Sequence, residues 1–468
     1  MGEGIGALRF DFCGDGEAVL YDSLRLAAAV VRANEPYPEM ISPFALLSIL
    51  VTVGALFSLL SYRMLRLPTT IGTMMLSLCA AAALIGAGNL GGAPAHLLHA
   101  SAERLVAGIN FNHAVLHGML AFLLFAGALQ LDIEQLYRER RVVLALSIVA
   151  TALSTAIVAV LFKGALTLIG LPLSMTSALL FGALISPTDP IAVLEMLRRV
   201  GAPAHLEVQL AGESLFNDGV GAVIFLALLG ASGVGGGPAS SMGTSMGSFA
   251  VLLLLKAGGA IVLGLVLGYL TFRVLSLVDS YRVEVLLTLA LAMGGYALAD
   301  ALKLSAPLEV VTAGLMVSGR ARVLVMSPET RDHLEKFWEL IDDIMNVLLF
   351  LLLGLQLLVL PIARGYVIAG LIAIPVVLLA RLLSVTATLE ALAIVRGRVP
   401  GAVWVLTWGG LRGALAVALA LSLPAEFGHE RNLLLIATYM VVVFSIVVQG
   451  LTIPRLLQRL GSRRQLSV

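Results

Sequence analysis

Two carboxylates stand inside a long apolar run of this chain, in Gly212-Glu213-Ser214-Leu215-Phe216-Asn217-Asp218-Gly219. A charged side chain at the centre of a membrane helix costs about 2.5–3.5 kcal/mol on insertion scales, so such groups serve function or pairing. Helical spacing sorts the two. Ser214 and Asp218 are four apart and share one face, while Glu213 and Asn217 share the adjacent one. Asp218 reads as the carrier of an ion and Glu213 as a structural charge. Arg381, deep in another apolar run, is the partner available to Glu213. Deleting one member of a pair buried in this way would leave an uncompensated charge costing about 3–5 kcal/mol.

A second group of residues interrupts its helix. In Ser186-Pro187-Thr188-Asp189-Pro190, the missing N–H groups of Pro187 and Pro190 deprive the carbonyls of Ala183 and Ser186 of their donors. Ser186 and Asp189 each precede a proline and are pushed toward extended backbone, which predicts an unwound stretch between two half-helices. At membrane depth such backbone survives only against protein or water. Asp189 opens the second half-helix, where a carboxylate offsets the positive end of the dipole. The matching break is Trp408-Gly409-Gly410-Leu411-Arg412-Gly413. Arg412 there either meets the freed carbonyl end of a half-helix or lines the path of the ion.

The elements that must hold these residues are membrane helices. Of 468 residues 59% are hydrophobic and 13% charged, and the mean hydropathy is +1.00. Thirteen apolar runs are long enough to be read as spans, near 43–62, 69–87, 112–130, 142–162, 174–199, 206–230, 252–275, 283–302, 308–319, 338–360, 366–395, 402–424 and 433–453. The ninth is short, and treating it as re-entrant gives twelve. Alternate loops divide sharply in Lys and Arg. Arg138, Arg140, Arg141, Arg198, Arg199, Arg320 and Arg322 fall on one side, against Arg104, Lys163, Lys303, Arg364 and Arg431 on the other. This bias puts the N-terminus outside and the C-terminus in the cytoplasm of a multi-pass protein of the cell membrane. The breaks fall in the fifth and twelfth spans, an odd offset, as two inverted repeats require.

The remaining sequence is quieter. Residues 1–42 form a tail too weakly apolar to span, expected to be disordered or to precede a start at Met40; 43–457 form the transmembrane domain and 458–468 a short cytoplasmic tail. The uncharged loop 231–248 is a flexible outer connection between two halves. With 30 Lys+Arg against 29 Asp+Glu, no field for nucleic acid exists. Cys13 and Cys79 have no metal spacing. Gly86-x-Gly88-x-x-Gly91 follows a membrane helix rather than a strand, which removes its dinucleotide meaning. His96, His99, His113 and His117 gather around an outer loop, Lys256 reads as interfacial, and Trp338, Asn346 and Phe350 read as helix packing.

Together these residues resemble the sodium/proton exchanger family, the NhaP and NHE type of monovalent cation:proton antiporter. The resemblance runs from about 43 to 457 and rests on SPTDPIAV at 186–193, GESLFNDGVGAVIF at 212–225, Arg381, and WGGLRGALAVALAL at 408–421. It implies a homodimer in which a core of two crossed broken helices moves, elevator-like, against a dimerisation domain, with a role in pH homeostasis. It implies that Asp218 binds the ion, with Asn217 beside it, Ser214 and the Thr188 backbone as further oxygen ligands, and Glu213 paired with Arg381. Asn217-Asp218, rather than two aspartates, is similar to the electroneutral branch. Phe125 stands where many relatives place an acidic residue, which leaves the preference among Na+, K+ and Li+ open.

The mechanism follows from competition. Removal from water disfavours the charged form of a carboxyl group, toward the range in which a proton and a millimolar cation compete for it. Loaded with either, the site is neutral and can cross; empty, it is held back. One acid exchanging one H+ for one monovalent cation moves no net charge. Oxygen ligands suit such hard cations, so no tightly bound cofactor is needed. A passive cation channel would need no proton site. An intramembrane hydrolase would need a buried nucleophile and base, and no histidine lies well inside a predicted span, so the chain reads as a transporter and not an enzyme.

Overall fold

The computed structural model describes residues 43–65, 69–90, 93–199, 203–233, 246–318, 327–396 and 401–465. The tail 1–42 with Met40, most of the loop 231–248, and residues 466–468 lie outside the described residues. The architecture here is that of the compact unit Leu47–Val468.

Among the described residues the chain is helical, with a single isolated bridge and no strand. Ten helices among the described residues are long and apolar enough to cross a bilayer. In chain order the elements are α1 (Phe44–Leu65), α2 (Thr69–Leu90), α3 (Ala93–Ala107), α4 (Phe111–Gln130) and α5 (Ile133–Leu168). Then come the half-helices α6 (Met175–Ile185) and α7 (Ile191–Arg199), followed by α8 (Ala204–Ala231), α9 (Met246–Leu275), α10 (Tyr281–Ala301) and α11 (Ala306–Val317). The series ends with α12 (Pro328–Leu355), α13 (Arg364–Arg396), the half-helices α14 (Ala402–Gly409) and α15 (Ala414–Leu421), and α16 (Ala425–Leu457). Each of the thirteen predicted runs coincides with one helix or one pair of half-helices.

Three details differ from the sequence reading, each for a local reason. The connection after α2 contains α3, whose polar composition hid it from a search for apolar runs. The fourth span starts earlier than predicted because Asp132 caps it, its carboxylate accepting from Glu134 N at 2.9 Å and Gln135 N at 3.2 Å. The charged turns after that cap are a helical extension, not a loop. Finally, α9 begins at Met246, earlier than the predicted run at 252, and Lys256 near the start of its apolar stretch is half-buried with its carbonyl accepting Ser305 N at 3.3 Å.

Packing sorts the helices into two bundles. In one, α5 packs on α6 and α13, α13 on α14 and α16, α15 on α16, and α8 on α5 and α6. In the other, α12 packs on α2 and α4, while α11 packs on α4, α9 and α10. Close approach is made by small residues: a side chain on Gly182 would collide with Thr155 O, and one on Gly354 with Ser77. Large apolar side chains such as Leu254, Leu255 and Val262 of α9 point outward, as a hydrocarbon surround allows. The seam between bundles is formed by α8 against α9 and α11, and by α15 against the start of α4 and against α12.

Candidate functional site

The two interruptions lie against each other. Asp189 N donates to Leu411 O at 2.8 Å, the only bridge among the described residues. On one side α6 ends at Ile185 and α7 restarts at Ile191, as the two prolines dictate. On the other, Gly410 at φ −74°, ψ 68° forms an inverse γ-turn closed by Leu411 N to Gly409 O at 2.9 Å. Unwound backbone in each helix thus satisfies the other.

Charge matches the ends of the half-helices. At the C-terminal end of α6, Arg412 donates through Nη1 to the carbonyl of Ser186 and to that of Pro187 at 3.0 Å. Its own N–H is held by Ser445 Oγ at 2.9 Å, within a π-helical turn, Ser445–Gln449, whose Gln449 reaches Trp408 O at 3.2 Å. At the C-terminal end of α14, Arg381 donates to Leu406 O through Nε at 3.3 Å and Nη2 at 3.0 Å. Cations at negative helix ends are the favourable arrangement. At the opposite pole, Asp189 Oδ1 accepts Ile191 N at 3.1 Å at the start of α7. Asp189 is also so close to the start of α15 that a Cβ on Gly413 would lie 2.5 Å from its Oδ2. Only glycine fits there.

Arg381 also forks onto Glu213, Nη1 meeting Oε1 and Nη2 meeting Oε2 at 2.9 Å. Both are buried, and a Cβ on Gly410 would lie 2.8 Å from Arg381 Nε. Ser147 ties the backbone of the pair by donating to Glu213 O at 3.1 Å from a second π-helical turn, Ala145–Ala150.

The neighbouring face of α8 meets the first break. Thr188 N donates to Asn217 Oδ1 at 3.2 Å, and Asn217 Nδ2 donates to Thr188 Oγ1 at 2.9 Å. Thr188 Oγ1 lies 2.9 Å from Ser214 Oγ. Two glycines bring α8 this close. A side chain on Gly221 would overlap Pro187, and one on Gly219 would overlap Leu308 of α11, so α8 is clasped between the break and the other bundle.

Asp218 is half-buried and lines a cavity of about 450 Å³ at the seam, together with Thr188, Asp189, Pro190 and Ser214. The structure therefore brings Asp218, Ser214, Thr188 and Asp189 to one cavity. Asn217 sits behind Thr188, while Glu213, Arg381 and Arg412 sit in the packing that supports the breaks. Phe125 is fully buried and does not line the cavity; its ring lies 4.7 Å from that of Trp338.

The opposite wall holds Gln130 of α4 and Glu339, Asp342 and Asp343 of α12, which sequence reasoning passed over, and Asn346 of α12, which it read as packing. A signal existed. Positions 339, 342, 343 and 346 follow the i, i+3, i+4, i+7 rule and share one helical face. The span boundary drawn at 338 left the carboxylates looking like a polar helix end.

The family model described as "Sodium/hydrogen exchanger, transmembrane" matches residues 45–459. The chain is 42% identical over 419 residues to the Na(+)/H(+) antiporter NhaP of Pseudomonas aeruginosa, covering 89% of this chain and 96% of that protein. It is 35% identical to the Na(+)/H(+) antiporter NhaH of Halobacillus dabanensis over 75% of this chain and 84% of that protein. In fold it is similar to the sodium proton antiporter MjNhaP1 of Methanocaldococcus jannaschii, with a TM-score of 0.67, 22% identity, and coverage of 88% of this chain and 97% of that one.

Proposed function

The chain belongs to the transmembrane sodium/hydrogen exchanger family, and we propose that it exchanges a monovalent cation, Na+ or K+, for H+ in a one-for-one, electroneutral cycle. The observation that carries this reading is the position of Asp218. Its carboxyl group lines a cavity beside two crossed breaks, and the cavity lies at the seam of two helix bundles.

Asp218 holds either a proton or a partly dehydrated cation, with Ser214 Oγ and Thr188 as further oxygen ligands. Asp189, between the starts of α7 and α15, has its charge offset by the positive ends of those half-helices, so that the Asp218 carboxylate alone balances the ion, and Asn217 fixes the Thr188 hydroxyl and backbone. Once loaded, the site is neutral and the bundle of α5–α8 and α13–α16 shifts against the other, as an elevator would. The unloaded carboxylate is charged and stays on its side. Pro187, Pro190, Gly409 and Gly410 keep the breaks open, and Glu213, Arg381 and Arg412 lock the half-helix ends so that the moving bundle stays rigid.

The cavity wall includes Arg198, and the loops rich in Arg lie on the cytoplasmic side by charge bias, so the conformation is open to the cytoplasm. The protein works in the cell membrane as a homodimer, the bundle of α2, α4 and α9–α12 forming its stationary part. The experiment is dye-reported H+ flux in proteoliposomes, with Na+, K+ and Li+ compared. Exchange that valinomycin neither speeds nor slows supports the reading; cation conduction at zero pH gradient without H+ movement would favour a passive channel.

A further inference from the structure

The wall of the cavity facing Asp218 has its own polar group. Asp342 of α12 lies within hydrogen-bonding reach of the side chains of Asn346 and Gln130, and all three line the cavity. Asn346 is 1% exposed, yet its Oδ1 has no hydrogen-bond partner among the described residues. A buried amide oxygen left without a donor is costly and rare in native proteins, and it asks for an electropositive ligand. Asp342 is half-buried, Asp343 adjoins it, and among the described residues the sole basic one lining the cavity, Arg198, is 3.8 Å from Glu207. A concave surface lined by carboxylates concentrates cations.

We propose that Asp342, Asn346 and Gln130 form a second monovalent-cation site, a staging site from which the ion passes to Asp218. Every potential ligand is oxygen, which suits a hard cation. One carboxylate, steadied by the N–H groups of two neutral amides whose oxygens remain to ligate, matches a single positive charge. The location gives the site its role. Asp342 and Asn346 belong to α12 and Gln130 to α4, both in the bundle opposite the one that carries Asp218. Resting on the exchange reading, the staging site stays behind when the Asp218 bundle moves, so it raises the local ion concentration on one side of the membrane only.

The test uses the full chain and radioactive Na+ as the probe. Purified Asp218→Asn protein in detergent binds Na+ at one remaining site, and Asp218→Asn/Asp342→Asn binds none. In proteoliposomes, Asp342→Asn raises the KM for Na+ by about five-fold or more with kcat within about twofold of wild type, and Asp342→Glu recovers most of the affinity. A merely structural role would lower kcat or the yield of folded protein instead. Absence of Na+ binding to Asp218→Asn, an unchanged KM in Asp342→Asn, or a loss confined to kcat each overturns the proposal. Binding is read without turnover, so these outcomes are separate from the failure of the exchange reading, which would show as Na+/H+ exchange persisting in Asp218→Asn.

Discussion

Replacing Arg381 by methionine tests how the breaks are held. The guanidinium makes two contacts with Glu213 and two with Leu406 O, and residue 381 is 2% exposed. Methionine retains much of the apolar stem and removes the charge. An uncompensated buried carboxylate costs about 3–5 kcal/mol, and a carbonyl left without its donor about 1–3 kcal/mol, so we expect Arg381→Met to lose about 4–8 kcal/mol. Glu213→Gln keeps the shape and one acceptor for Arg381, which still reaches Leu406 O, and should lose less, about 2–4 kcal/mol. The double variant buries neither charge and should be more stable than the sum of the singles predicts, by at least about 2 kcal/mol. Equilibrium unfolding in mixed micelles measures this, with Trp404 and Trp408 of the adjoining α14 as fluorescent reporters. Additive single losses, or a loss below about 1 kcal/mol for Arg381→Met, would refute the assignment of the pair as a structural lock.

Three further outcomes follow from individual contacts. Gly413→Ala puts a Cβ 2.5 Å from Asp189 Oδ2 and should cut exchange by about ten-fold or more with the protein still monodisperse on gel filtration, since a misplacement of about 1 Å suffices for such losses. Arg412→Gln strips donors from the Ser186 and Pro187 carbonyls and should cost about 2–4 kcal/mol in the same unfolding assay. Glu309 of α11 is fully buried with neither carboxylate oxygen partnered among the described residues, so Glu309→Met, which removes an unsatisfied polar group at similar volume, should raise stability by about 1–3 kcal/mol and leave exchange intact.

What the sequence disclosed was governed by strong local rules. Two prolines three apart, Pro187 and Pro190, each pushing the residue before it toward extended backbone, favour a break where the single Pro375 of α13 does not make one, and the four-residue spacing of Ser214 and Asp218 fixes their common face without any tertiary knowledge. Buried charge also announces itself: with Glu213 and Arg381 both inside apolar runs, pairing was the favourable solution, and the structure has the two in a fork. Residues were missed where the signal is tertiary. Nothing in the sequence says that α12 and α4 face Asp218 across a cavity, so Asn346 read as packing and Asp342 was not singled out. Arg412 was left between two readings because its choice depends on which carbonyls lie across the crossing, and these belong to residues more than two hundred positions away. Phe125 illustrates the converse: its position suggested a missing ligand, but its ring is packed against Trp338 and outside the cavity.

The central claim, that proton and cation take turns at a single carboxyl group, is tested most directly by pH-dye recordings on proteoliposomes containing Asp218→Asn. The account predicts that Na+ or K+ added outside moves no more H+ than in protein-free liposomes, while the variant elutes like the wild type on gel filtration. Cation-driven H+ movement at an undiminished rate would contradict it.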